Sequence, residues 1–160
     1  MKQRQKGFSL IELLIVVAII LIIAAIAIPN LLRARIQANE ASAVSSLHAV
    51  NTAEISYATL FPTVGFAPSL LVLGDGGTAP CAGTSDASCY LDSSLASGTK
   101  SGYSFSYAPD TSMTPSLHYG ITANPVTRGI SGQRGFYSSD QNVLRFNTTG
   151  AAGSADSPLQ

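Results

Sequence analysis

Charge is scarce in this chain. Only 11% of its 160 residues are Asp, Glu, Lys or Arg, divided equally between nine basic and nine acidic side chains. Three of the nine bases are Lys2, Arg4 and Lys6, so a chain lacking residues 1–7 keeps six basic against nine acidic side chains, a formal balance of −3. No basic patch remains to favour nucleic acid as a partner. Catalytic constellations are missing as well. His48 and His118 lack H-x-x-x-H spacing and a carboxylate cluster, and read as surface or packing residues. No G-x-S-x-G occurs. Gly74-Asp75-Gly76-Gly77 has no lysine to serve a phosphate loop and reads as a turn. The expectation is a protein without enzymatic turnover, cofactor or metal.

Cysteine is nearly absent too. Cys81 and Cys89 are the two in the chain, in a stretch of small polar residues. Without accompanying His or Cys, and without C-x-x-C spacing, the pair is poor metal chemistry. In an oxidising compartment it closes a short loop as a disulfide worth roughly 2–3 kcal/mol; in a reducing one it is two thiols. Export, argued next, favours the disulfide.

What the chain has in abundance is apolar side chains, 46% of the total and concentrated near the start. Residues Phe8 to Ile28 are apolar except for Ser9 and Glu12. As a helix this segment spans about 31 Å, close to the hydrocarbon thickness of a bilayer. The cations just before it keep the N-terminus cytoplasmic and send the remainder outward.

Three readings compete for the segment. A secretory signal peptide would use the three cations as its n-region and Ala25-Ile26-Ala27 as its cleavage site, but the apolar stretch is long and holds an acid. A plain anchor accounts for the length and leaves Glu12 unexplained, although a carboxylate in a membrane segment costs a few kcal/mol and normally has a partner. Cleavage between Gly7 and Phe8 explains it. A new ammonium then appears at Phe8, four residues and about 6 Å from Glu12 along a helix, and a first-turn acid also suits the helix dipole. The carboxylate can pair within its own chain or with the ammonium of a parallel neighbour, and the two pairings stay open at this point.

Gly7-Phe8-Ser9-Leu10-Ile11-Glu12, continued by Leu13-Leu14-Ile15-Val16-Val17-Ala18-Ile19-Ile20 and by Ala24-Ala25-Ile26-Ala27-Ile28-Pro29, resembles the processing site and anchor of type IV prepilins and of the related type II secretion pseudopilins. The resemblance is specific over roughly residues 6–60. It implies a membrane peptidase that cuts after Gly7 and methylates Phe8, and Glu12 as the carboxylate of assembly. One departure is Leu21, where many members of that family have a glycine that helps the helix loosen on packing. Pro29 is present, and its missing donor predicts a kink near residues 25–29.

Beyond the anchor the helical pattern becomes one-sided. Ala43, Leu47, Val50, Tyr57 and Phe61 follow 3–4 spacing, with Glu54 a misfit, and Gln37, Ser45, Asn51 and Ser56 are assigned to the opposite side. Phe61-Pro62 and Gly65 end the helix. Residues 62–101 read as a loop region punctuated by Pro and Gly, with helical turns expected at Leu70–Leu73 and Tyr90–Ala96. Asp75, Asp86 and Asp92 lie there without EF-hand spacing and read as solvated acids, although some pseudopilins bind calcium in such loops.

Strand alternation starts at Tyr103, Phe105 and Tyr107 and recurs at Tyr119, Ile121 and Ala123; Phe136-Tyr137 and Val143–Phe146 predict a hairpin. Three or four antiparallel strands over residues 102–147 are expected. Asn147-Thr148-Thr149 fits a glycosylation acceptor, a triplet common by chance, and residues 148–160 read as a disordered tail.

The expected architecture is α+β and pilin-like: a leader (1–7), a transmembrane and assembly half-helix (8–29), and an exported head (30–160) in which residues 30–61 continue the helix onto a small antiparallel sheet. The resemblance implies a structural subunit of a surface filament used for motility, adhesion or DNA uptake. Its partners would be copies of itself, a prepilin peptidase, and an inner-membrane assembly platform with its ATPase. Before assembly it would be an inner-membrane protein with a cytoplasmic N-terminus, and afterwards part of a surface filament or of the periplasm. A pseudopilin of type II secretion is the nearest alternative. An exported monomeric binding module, starting near Ile28 after signal-peptide removal, is the rival from another class.

Overall fold

The computed structural model describes residues 9–77 and 83–159. The chain divides into two units, Met1–Arg35 and Ile36–Gln160, and helix α1, Leu10–Leu60, contributes to both. In the first unit the helix exposes its large apolar residues from Leu10 to Leu32 on every side. An 18-residue window of this helix reaches a mean hydropathy of 3.3 with none of its residues buried. Such a surface is stable only against lipid or other apolar helices. α1 remains helical through Pro29, whose missing N–H leaves the carbonyl of Ala25 without its intrahelical donor.

In the second unit the rest of α1 lies on a six-stranded antiparallel meander with strand order β1 to β6. The strands are β1 (Thr99–Lys100), β2 (Tyr103–Pro109), β3 (Tyr119–Pro125), β4 (Gly135–Ser139), β5 (Arg145–Asn147) and β6 (Ser157–Pro158). Two single-turn helices, α2 (Leu70–Leu73) and α3 (Ser93–Ala96), precede the sheet. This is the α+β architecture, a long helix packed on an antiparallel sheet, that the resemblance implies. Register places Phe105 opposite Ala123, Ala123 opposite Phe136, and Phe136 opposite Phe146. One sheet face thereby presents Tyr103, Phe105, Ile121, Ala123 and Phe136 to Ala43, Leu47, Val50, Ala53 and Tyr57 of α1, forming a single buried cluster.

Several expectations are corrected. The sheet has six strands rather than three or four, because β1 lies within the stretch read as loop and β6 within the stretch read as tail. The tail is ordered by bonds that composition does not reveal. Arg145 donates to the carbonyl of Asp156 at 2.7 Å, Arg128 to those of Thr148 and Gly150, and the Leu159 N–H to Leu144 at 2.8 Å. Asn51 and Glu54, assigned to the polar side or called a misfit, are 1% and 0% exposed. Asn51 is satisfied at both ends of its amide: it donates to Ser138 and Asn142 and accepts from the Tyr119 hydroxyl at 2.9 Å. Asp92 is not a merely solvated acid. It caps α3 by accepting from the Leu95 N–H at 3.0 Å and pairs with Lys100 at 2.7 Å.

Glu40 fastens α1 to the start of β4. Only 6% exposed, its carboxylate accepts from the backbone of Gln133 (2.9 Å) and Arg134 (3.1 Å) and from Arg134 Nε (2.7 Å). The Arg134 guanidinium in turn lies over the rings of Phe136 and Phe146. Burial alone would raise the Glu40 pKa, but the two backbone donors and the guanidinium outweigh it and hold the carboxyl below the usual range. Its contribution is therefore present above the unfolded carboxyl pKa of 4.5 and lost as pH falls below it. Glu40→Gln is expected to lower stability at neutral pH by about 1–3 kcal/mol. Denaturant titrations of the detergent-solubilised chain should show the gap to the parent protein closing on acidification.

Candidate functional site

The first turn of α1 brings together the two polar residues of the apolar segment. Ser9 immediately precedes the helix, and its carbonyl accepts from the Leu13 N–H at 3.2 Å. Glu12 reaches back so that Oε2 accepts from the Ser9 N–H at 2.9 Å. A donor that the helix itself cannot satisfy is met by a side chain three residues on. The S-x-x-E spacing ahead of an apolar run is a capping-box signal, and reasoning from charge alone passed over it. Glu12 therefore has a local task beyond offsetting a distant cation.

Gly7 and Phe8 lie outside the described residues. Among the described residues, the Glu12 carboxylate is folded back onto the backbone that immediately precedes α1. Around this polar turn the surface is apolar: Leu10, Leu13, Leu14, Val17, Ala18 and Leu21 line one open face of α1. The described first turn thus carries one carboxylate beside an otherwise apolar face.

The remaining candidates are scattered. His48 is exposed on α1. His118 Nδ1 lies 3.0 Å from Asp140 at the mouth of β3, with the imidazole largely exposed. Among the described residues no three His, Cys, Asp or Glu side chains converge as a metal-ligand set. Asp75 accepts from the Gly77 N–H at 3.0 Å, closing the glycine-rich turn. Cys81 lies outside the described residues, while Cys89 sits at a φ of 67° with its sulfur 3.3 Å from the Gly83 N–H. The Asn147 side chain is spent locally, accepting from Thr149 and Gly150 and donating to Asp156.

Residues 2–28 match the family model described as the prokaryotic N-terminal methylation motif. This chain carries the prokaryotic N-terminal methylation motif. It is 44% identical over 72 residues to the type IV major pilin protein PilA of Myxococcus xanthus, a match covering 41% of this chain and 33% of that protein. It is 71% identical over 35 residues to the type IV wide pilus major component PilA4 of Thermus thermophilus, covering 22% of this chain and 27% of that one. The chain thus aligns with about a third or less of the length of these curated relatives. No solved structure matches it. The resemblance read from Gly7 to Ile20 is borne out by the motif and by these homologues, and the head rests on its own geometry.

The cap makes a local prediction. In the full chain in detergent micelles, Glu12→Ala should speed hydrogen exchange at the Ser9 amide by about fivefold, matching the ~1 kcal/mol typical of a lost cap. Exchange at amides beyond Val16 should be unchanged.

Proposed function

We propose that this chain is the structural subunit of a type IV pilus, made as a precursor, cut between Gly7 and Phe8, N-methylated on Phe8 and polymerised through its apolar helix. The observation that carries the reading is a single acid, Glu12, folded onto the start of a helix that exposes only apolar side chains from Leu13 to Ile28. Lipid can solvate such a helix, and so can copies of the same helix. Only the second environment supplies further ammonium groups at the same depth. The relatives named as major pilus components favour a pilus over a pseudopilus.

Each part of the anchor then has a task. The three leader cations hold the precursor's N-terminus in the cytoplasm. The Glu12 carboxylate meets the new ammonium, first in its own chain and then in a neighbour, which sets the register of one subunit on the next. Pro29 gives the helix a bending point near residues 25–29. The head faces outward, and a Cys81–Cys89 disulfide closes its glycine-rich loop. Peptidase, assembly platform and ATPase are the partners this cycle requires, since the subunit has no chemistry with which to move itself.

Intact-mass measurement of the mature protein tests the processing: residues 1–7 should be missing and one methyl group gained, and a chain beginning at Ile28 would return the signal-peptide rival. Glu12→Ala should leave cleavage intact and cut filament yield by roughly tenfold, equivalent to ~1.4 kcal/mol per subunit contact. Undiminished filaments would remove the register role. Alkylation of the unreduced mature protein should label neither cysteine.

A further inference from the structure

Glu54 is a second acid without a cation, and it lies in the head. It is wholly buried on the sheet-facing side of α1. Its Oε2 accepts from the Ala67 N–H at 2.9 Å, whereas its Oε1 is buried and accepts no hydrogen bond. Tyr107 on β2 faces the same carboxyl, but a phenol has one proton, and the 2.8 Å bond from Tyr107 to the carbonyl of Ala67 claims it. Glu54 Oε1 is thus left without a donor, and the neighbouring Tyr107 has already given its one proton to Ala67.

We propose that Glu54 is a carboxylic acid in the folded head and that its proton closes a ring of three hydrogen bonds through Tyr107 and the Ala67 peptide unit. The Ala67 N–H donates to Oε2, the Oε1–H donates to Tyr107 Oη, and the Tyr107 O–H donates to the Ala67 carbonyl. The ring ties α1, the segment after it and β2 to one another. That segment is also gripped from its other side: Phe66 N–H donates to Ser116 and Ser116 N–H to Val64. Gly65 there has a φ of 81°, and a Cβ would fall 2.2 Å from the Ser116 carbonyl oxygen. The glycine permits the close approach, and the Glu54 proton holds the neighbouring turn.

Among the described residues, the titratable groups around the site are phenols and acids rather than cations. Tyr57 lies one turn along α1, with Asp86 bearing on it from the loop before Ser88; Tyr107 approaches from β2, and Tyr119 from β3 with Asp140 beyond it. The Tyr57 and Tyr119 hydroxyls donate to Ser85 and Asn51, so neither is spare. Among the described residues no cationic side chain pairs with Glu54. Burial consequently raises its pKa to about 7, against the smaller opposing effects of the Tyr107 and Ala67 hydrogen bonds. The unfolded chain releases this proton near 4.5, so the ring's contribution is complete below that pH, declines as pH rises and is gone above about 7.

The test uses the full chain in detergent micelles, with head unfolding followed by tyrosine near-ultraviolet circular dichroism between pH 4.5 and 8. Across that window the folded-to-unfolded ratio of the parent protein should fall by up to roughly 150-fold relative to Glu54→Gln. The glutamine amide donates where the acid O–H did, so E54Q should match the parent at pH 5 and exceed it at pH 8. Tyr107→Phe removes the acceptor and should destabilise the head most at pH 5. A carbon-13 titration of the parent protein, which needs no variant to fold, should place one glutamate carboxyl near pH 7. Equal pH profiles for parent and E54Q, E54Q weaker than the parent at pH 8, or every glutamate titrating near or below 4.5 would overturn the assignment.

Discussion

One requirement governs this molecule: a single continuous helix has to suit two different surroundings. Over the stretch from Leu10 to Leu32 every large side chain of α1 other than Glu12 and Asn30 is apolar and exposed. From Glu40 onward the same helix turns one stripe to a sheet and the other to solvent. The change is made by side-chain pattern alone, because backbone hydrogen bonding within a helix is indifferent to what surrounds it. Charges fall where the surroundings admit them. Glu12 sits at the helix start, where an orphan N–H accepts it, and Arg33 and Arg35 come only after the apolar run has ended.

The buried stripe of α1 is less uniformly apolar than a packing argument requires. Four of its residues, Glu40, Ser46, Asn51 and Glu54, are polar, and three of them are bonded to different parts of the head. Glu40 holds the start of β4, Asn51 holds β3 and the β4–β5 turn, and Glu54 holds the segment that follows the helix. Apolar contacts tolerate sliding by a fraction of a turn, whereas hydrogen bonds to fixed backbone groups do not. Ala43, Leu47, Val50 and Tyr57 thus supply most of the burial, and the three bonded polar residues determine where along the sheet the helix stops.

How much of this was legible beforehand follows the range of the interactions. The apolar block, the one-sided stripe and the strands at Tyr103, Tyr119 and Phe136 are local periodicities, and the structure places all of them as read. Glu12 stood out because it interrupts an apolar run, and the pairing of Ser9 with Glu12 was available in the same four residues. Asn51 and Glu54 were misassigned because a polar residue on an apolar stripe gives no sign of its partner. Ala67, Ser138, Asn142 and Tyr119 become neighbours only when the sheet forms. β6 and the ordered tail were invisible for the same reason. Small polar residues carry no periodic signal, and the arginines that fix them lie up to 22 positions away.

The two buried glutamates of the head also show why residue type alone does not determine an electrostatic role. Glu40 has two backbone donors and a guanidinium, so it is stabilised as an anion and loses that stabilisation in acid. Glu54 has one backbone donor and a ring of tyrosines, so its surroundings favour the neutral form and its contribution fades as pH rises. Both are buried against the same sheet, 14 positions apart on the same helix. The difference lies in whether the opposing strand contributes a cation, as β4 does with the arginine before Gly135, or a phenol, as β2 does with Tyr107. One helix thereby carries two buried carboxyls whose contributions respond to pH with opposite sign.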